Sequence, residues 1–141
     1  MPHANLIEFF TADHRTCDAI WAAIEGGESA AFPRFRAELE QHFTMEEQVL
    51  FPAFELATGM TSGPTTMMRM EHEQVRGLLG QMQTAFAAGD EELLLDLGDT
   101  LLMVLQQHNQ KEEGMLYPLA QAHIPEPWPA LKAKLDAVRV V

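Results

Sequence analysis

Four stretches of the chain place their apolar residues three and four positions apart. The first runs Ile7, Phe10, Cys17, Trp21, Ile24, and the second Phe32, Phe35, Leu39, Val49, Ala53. The third runs Met68, Val75, Leu79, Met82, Phe86, and the fourth Leu94, Leu97, Leu101, Val104, Met115, Leu119. This is the period of helices that turn one face to a core. Breaks separate them: Gly26-Gly27, the stretch from Thr58 to Pro64, and Ala88-Gly89-Asp90. Asp90 before Glu91-Glu92 has the form of an N-cap followed by an acidic first turn. The pattern predicts helices over roughly 4–25, 30–57, 64–88 and 91–122. A tail over 123–141 follows Ile124-Pro125-Glu126-Pro127-Trp128-Pro129. Short connections between long amphipathic helices predict an all-α, up-down-up-down four-helix bundle, a single domain over 1–141 with a short C-terminal helical tail.

Every seam is interrupted by a histidine: His14, His42, His72 and His108. Two carry a glutamate one turn later, Glu46 and Glu112. The interruptions are also repeated. QHFTMEEQVLFP, 41–52, returns as QHNQKEEGMLYP, 107–118, at an offset of 66 residues. An unpaired polar group in a core costs roughly 2–7 kcal/mol. Six of them would exceed the about 5–15 kcal/mol that holds a typical domain together. The six must therefore satisfy one another, and four neutral imidazoles with two carboxylates do so best around metal ions.

Hairpin geometry predicts one cluster. His14 and His42 are equally far from Glu28 in the first turn, and His72 and His108 equally far from Asp90 in the third. Each hairpin thus brings a histidine pair level. Residues four apart share a helix face about 6 Å apart in height, so Glu46 and Glu112 can lean across to the other pair. The spacing suggests two metals, each with two histidines, bridged by two carboxylates. Glu47 and Glu113, at i+5, point off that face and are expected to be solvated or to support the ligands; the reverse choice for the last helix, Glu113 in place of Glu112, stays open.

Charge narrows the partners. The 141 residues carry 9 Lys+Arg against 21 Asp+Glu, a formal net charge of −12. Such a surface repels phosphate, which argues against nucleic acid and anionic membranes. A lone cysteine, Cys17, cannot form an internal disulfide. With no signal-peptide pattern in MPHANLIEFF, the expectation is a cytoplasmic protein.

His14, His42-x3-Glu46, His72 in MEHEQVR, and His108-x3-Glu112, with the EExxLFP and EExxLYP endings, resemble the hemerythrin-like family of HHE cation-binding domains over about residues 5–120. The resemblance implies a non-haem di-iron centre with carboxylate bridges and an oxo or hydroxo bridge, able to bind dioxygen or nitric oxide. It differs from the oxygen carriers in two places. Met68 stands one turn before His72, where their third helix has a further histidine, and His108-x3-Glu112 replaces their His-x4-Asp. The four-histidine, two-glutamate set is more similar to bacterial members implicated in iron-centre repair and nitrosative stress.

Iron is favoured on chemistry and resemblance; manganese or a mixed pair also suits imidazole with bridging carboxylate. Three function classes follow: a module that binds or senses O2 or NO or handles iron, an oxidoreductase or iron-repair protein, and a bundle with a vestigial site. The partner expected is a small diatomic ligand. The remaining residues have structural readings. Met68 packs over the site rather than binding a soft ion, and Cys17 fills core. Tyr117, matched by Phe51 in the repeat, packs rather than taking part in radical or proton chemistry. Pro52 and Pro118 kink or end their helices. His3 and His123 are solvated. Trp128, Leu131, Leu135 and Val138 give the tail one apolar face that caps the bundle or meets a partner.

Overall fold

A computed structural model describes residues 3–139, and they contain helices and no strands. The elements are α1 (Leu6–Glu25), a 3-10 turn (Ser29–Ala31), α2 (Phe32–Met45), α3 (Phe51–Thr58), α4 (Pro64–Ala87), α5 (Glu91–Lys111), α6 (Tyr117–His123) and α7 (Trp128–Val138). Asn5 caps α1 by accepting from the Glu8 N–H, and Asp90 caps α5 by accepting from the Leu93 N–H. Pro64 opens α4, where its missing N–H costs nothing. Gly59 ends α3 in the left-handed region, φ 72°, returning its N–H to the Glu55 carbonyl. No helix among the described residues is long and apolar enough to cross a membrane.

Two helices continue through their prolines. Between α2 and α3, residues Glu46–Leu50 form a π-helical turn, and the N–H of Phe51 reaches the carbonyl of Glu46. Between α5 and α6, Glu112–Leu116 do the same, with the N–H of Tyr117 on the carbonyl of Glu112. Pro52 and Pro118 lack the N–H an α-helix would need there, and their rings would press on the carbonyl four residues back. One widened turn relieves both problems. Of the expectation that the prolines kink or end their helices, the second part is corrected: the chain stays helical past each. Both wide turns begin at the paired glutamates.

α1 packs on α2 and α4 on α5. His14 lies beside His42 and Trp21 beside Phe35, so seven residues along α1 match seven residues back along α2, and the two run antiparallel. The apolar interior falls into two clusters. One, toward the loops at Gly26 and Gly89, includes Trp21, Phe32, Phe35, Leu79, Met82 and Leu101. The other, toward the prolines, includes Phe10, Met45, Phe51, Phe54, Met68 and Tyr117. The tail's apolar face meets this second cluster: Leu131 and Leu135 of α7 are buried in it, with Trp128 and Val138 against it. Trp128 also donates its indole N–H to the His3 carbonyl. Of the two readings of the tail, the structure shows the cap.

A close approach of α1 and α5 fixes their spacing. A methyl group on Gly98 would lie 2.0 Å from the Trp21 ring, whereas Gly80 of α4 faces open space. Gly98→Ala should therefore overpack this contact and destabilise by about 1–3 kcal/mol. Gly80→Ala should stabilise by up to about 1 kcal/mol through helix propensity. Denaturant unfolding of both variants measures this; an unchanged midpoint for Gly98→Ala would show that Trp21 is not seated against α5.

Candidate metal centre

Between the two apolar clusters lies one polar layer. His14, His42, Glu46, His72, His108 and Glu112 are all buried there, none more than 3% exposed. They come from four long helical segments, α1, α2 with its wide turn, α4, and α5 with its wide turn. Their donor atoms gather into two groups, His14–His42–Glu46–Glu112 and Glu46–His72–His108–Glu112, each within 4.8 Å and sharing both glutamates. Glu46 spans the groups with its two oxygens: Oε2 is 3.4 Å from His42 Nε2, and Oε1 is 3.0 Å from His72 Nε2. Glu112 Oε1 lies 3.0 Å from His14 Nε2 and 3.3 Å from His108 Nε2.

Each imidazole is held from behind by a carboxylate on Nδ1. Glu113 binds His14 at 2.7 Å, Asp13 binds His42 at 2.8 Å, Glu47 binds His72 at 2.6 Å and Glu71 binds His108 at 2.8 Å. A carboxylate only accepts, so Nδ1 carries the proton and Nε2 faces the centre. Carboxylate behind imidazole is the arrangement that orients metal ligands and raises their basicity. The supports form a closed ring: α1 holds α2, α2's wide turn holds α4, α4 holds α5, and α5's wide turn holds α1. Cations complete it on the outside. Arg15 binds Glu113, Arg76 binds Glu47, and Lys111 binds Glu71.

The donor set fits metal. His108 Nε2 and Glu112 Oε2 are buried with no hydrogen-bond partner, and an orphan of this kind costs about 1–3 kcal/mol. A cation shared by the imidazoles and carboxylates satisfies both atoms. Neither group includes the one thiol, so the donors are all oxygen and nitrogen, unlike the cysteine-rich sets typical of structural zinc. Cys17 stays outside both groups, in the apolar cluster, and burial pushes its thiol up to about 12. Met68 is buried in the other cluster, while His3 and His123 are exposed.

Of the two readings of Glu47 and Glu113, the structure shows the support: they bind Nδ1 of His72 and of His14. Two features departed from the sequence expectations or escaped them. Asp13 and Glu71 were not singled out at all. Their signal is an acid directly before a seam histidine, repeated between α1 and α4 at an offset of 58 residues. Tyr117 corrects the packing reading. Its ring packs, but its hydroxyl reaches the centre, 2.6 Å from Glu46 Oε2 and 2.9 Å from Glu112 Oε1.

The model of the hemerythrin HHE cation-binding domain matches residues 5–120. The chain belongs to the hemerythrin family. The match covers every residue of the two donor groups, so this hemerythrin-like domain carries its candidate metal site inside the matched span. No curated protein and no solved structure matches the chain significantly.

Without metal, protons take the cation's place. For His108, burial opposes charge, but the carboxylates of Glu112, Glu46 and Glu71 prevail and hold its pKa up at about 9. His42 and His72 are raised in the same way, against burial, by Glu46 with Asp13 and Glu112 and by Glu46 with Glu47. For Glu47, burial opposes ionisation, but His72 and Arg76 bring it down to about 2. Raised histidines stabilise fully below their unfolded pKa near 6.5, and that stability is lost as pH rises through about 9. Lowered carboxylates stabilise above their unfolded value, and that stability is lost as pH falls through about 2. Thermal melts of metal-free protein should therefore show falling stability from about pH 6.5 to 9 and again in strong acid.

The supports make a second test. Asp13→Asn and Glu71→Gln remove a charge behind His42 and His108 without touching a donor atom of either group. Each should weaken metal binding about 10–100-fold in competition with a chelator. Undiminished affinity would show that the ring serves packing alone.

Proposed function

We propose that this chain is a non-haem di-iron protein that binds or senses dioxygen or nitric oxide, or handles iron, at the layer between its two apolar clusters. The observation that carries this reading is the pair of four-donor groups that share Glu46 and Glu112. His14 and His42 would hold one metal and His72 and His108 the other, with Glu46 and Glu112 as bridges. When bound, the iron pair supplies redox-active positions that exchange small ligands. The protein's own part is to keep each Nε2 aimed inward through the carboxylate on Nδ1, and to exclude bulk water with Phe10, Phe43 and Phe51, whose rings face His42 or His72. Glu46 and Glu112 are the acceptors that face the Tyr117 hydroxyl at the centre.

A second reading, iron-centre repair or oxidoreductase activity at the same site, draws support from that phenol, a proton-bearing group placed among the ligands. Burial, and then the charges of Glu112 and Glu46, push its pKa well above the ordinary tyrosine range, so it stays protonated in the metal-free site. A stable, reversible adduct of the ferrous protein with O2 or NO supports the first reading. Consumption of peroxide with turnover supports the second.

Under either reading the chain is one domain, an up-down-up-down four-helix bundle of α1, α2–α3, α4 and α5–α6 capped by α7. It would work in the cytoplasm with a small diatomic partner and, given its net charge of −12, apart from nucleic acid and anionic membranes.

Anaerobic reconstitution with ferrous iron, followed by metal analysis, tests the proposal. We expect close to two irons per chain, reduced by His42→Ala and by His108→Ala. The loaded protein should also melt higher, since binding to the folded state alone stabilises by about 4 kcal/mol at a thousandfold excess over Kd. One ion per chain, indifferent to both substitutions, or a melt unchanged by full chelation, would overturn the two-metal reading.

A further inference from the structure

Tyr117 is the protein's only tyrosine, and its oxygen lies beside both shared glutamates and the two histidines of one group, His14 and His42. It is 2.6 Å from Glu46 Oε2, 2.9 Å from Glu112 Oε1, 3.1 Å from His14 Nε2 and 3.4 Å from His42 Nε2. These separations match those within the group itself: 3.1 Å between the Nε2 atoms of His14 and His42, and 3.0 Å from His14 Nε2 to Glu112 Oε1. Nitrogen and oxygen ligands sit about 2.0–2.2 Å from a first-row metal such as zinc, so neighbouring corners of its coordination shell are about 3 Å apart. The phenol oxygen is thus spaced from the other four atoms as a further ligand of the same metal would be.

We propose that Tyr117 is a fifth protein ligand of the metal held by His14 and His42, bound through its phenolate oxygen, and that the two metals are thereby chemically unequal. With Nδ1 of each histidine committed to a carboxylate, an Nε2 that binds metal must be unprotonated. In that state both Nε2 atoms and both glutamate oxygens are acceptors, and one phenol proton satisfies one of these four. A cation at their common centre satisfies all of them, and the phenol proton passes to solvent as the oxygen–metal bond forms.

The repeat shows that this feature is one-sided. Phe51 holds the position of Tyr117 in the other half, 66 residues earlier. Its ring lies 5.5 Å from His72 at 26°, as the Tyr117 ring lies 5.6 Å from His14 at 30°. The two rings are placed alike, but only one carries an oxygen. The His72/His108 metal receives four protein donors, and an added anion goes there.

This inference rests on the di-iron reading, and one experiment separates their failures. The protein is loaded with iron, oxidised to the ferric state, analysed for metal, and examined by visible absorption and resonance Raman. We expect two irons per chain and a phenolate-to-iron charge-transfer band whose ring modes shift when tyrosine is ring-deuterated. Because there is a single tyrosine, the unmodified protein suffices for the assignment. Tyr117→Phe should lose the band while keeping its iron, and azide should bind with the band still present. Two irons without phenolate modes would overturn the ligand role alone and leave Tyr117 a hydrogen-bond donor. Disappearance of the band as azide binds would also overturn it, by showing an exchangeable position. Failure to bind iron would overturn the di-iron reading and this inference together.

Discussion

The rest of the structure depends on one arrangement: four imidazoles and two carboxylates buried in a single layer of an otherwise apolar interior. Burying six such groups singly would be prohibitive. They are tolerable because each imidazole donates backward to a carboxylate and presents its other nitrogen to a shared centre. The apolar clusters on either side exclude water and strengthen these interactions. The same low dielectric makes the site intolerant of a missing partner, and in the metal-free protein the buried carboxylates raise His42, His72 and His108 against it.

The ring of supports ties this chemistry to the helix packing. Asp13, Glu47, Glu71 and Glu113 each reach from one helix to the histidine of the next, so the layer that orients the candidate metal site also joins the helices around it. The wide turns contribute here. Starting at Glu46 and Glu112, they combine a glutamate that enters the centre with a neighbour that turns aside to a histidine, and they absorb the prolines that follow. A π-helical turn at a functional site is a common association; here the prolines supply a local reason for it.

The two halves of the centre are nearly alike, and their differences are informative. Asp13 corresponds to Glu71, His14 to His72 and Phe10 to Met68 at one offset, and Phe51 to Tyr117 at the other. The first two pairs keep an acid followed by a histidine. The last puts a hydroxyl beside His14 and none beside His72.

Much was legible in the sequence because helices and their faces are local. Periodicity at three and four, glycine breaks and an Asp cap set out the long helices, and equal distances from the turns brought His14 level with His42 and His72 level with His108. The six central residues stood out because polar groups broke apolar seams and the break was repeated. What the sequence did not reveal depends on contacts between helices and on departures from ideal turns. Asp13 and Glu71 look like solvated acids until the neighbouring helix is in place. For Glu47 and Glu113 the sequence left solvation and support open, and the place of the next helix decides for support. Tyr117 and Phe51 are interchangeable as packing residues; only the tertiary structure shows that the hydroxyl points into a ring of acceptors. Hydrophobic period is a property of a single helix, but the partner of a polar atom is set by the helix facing it.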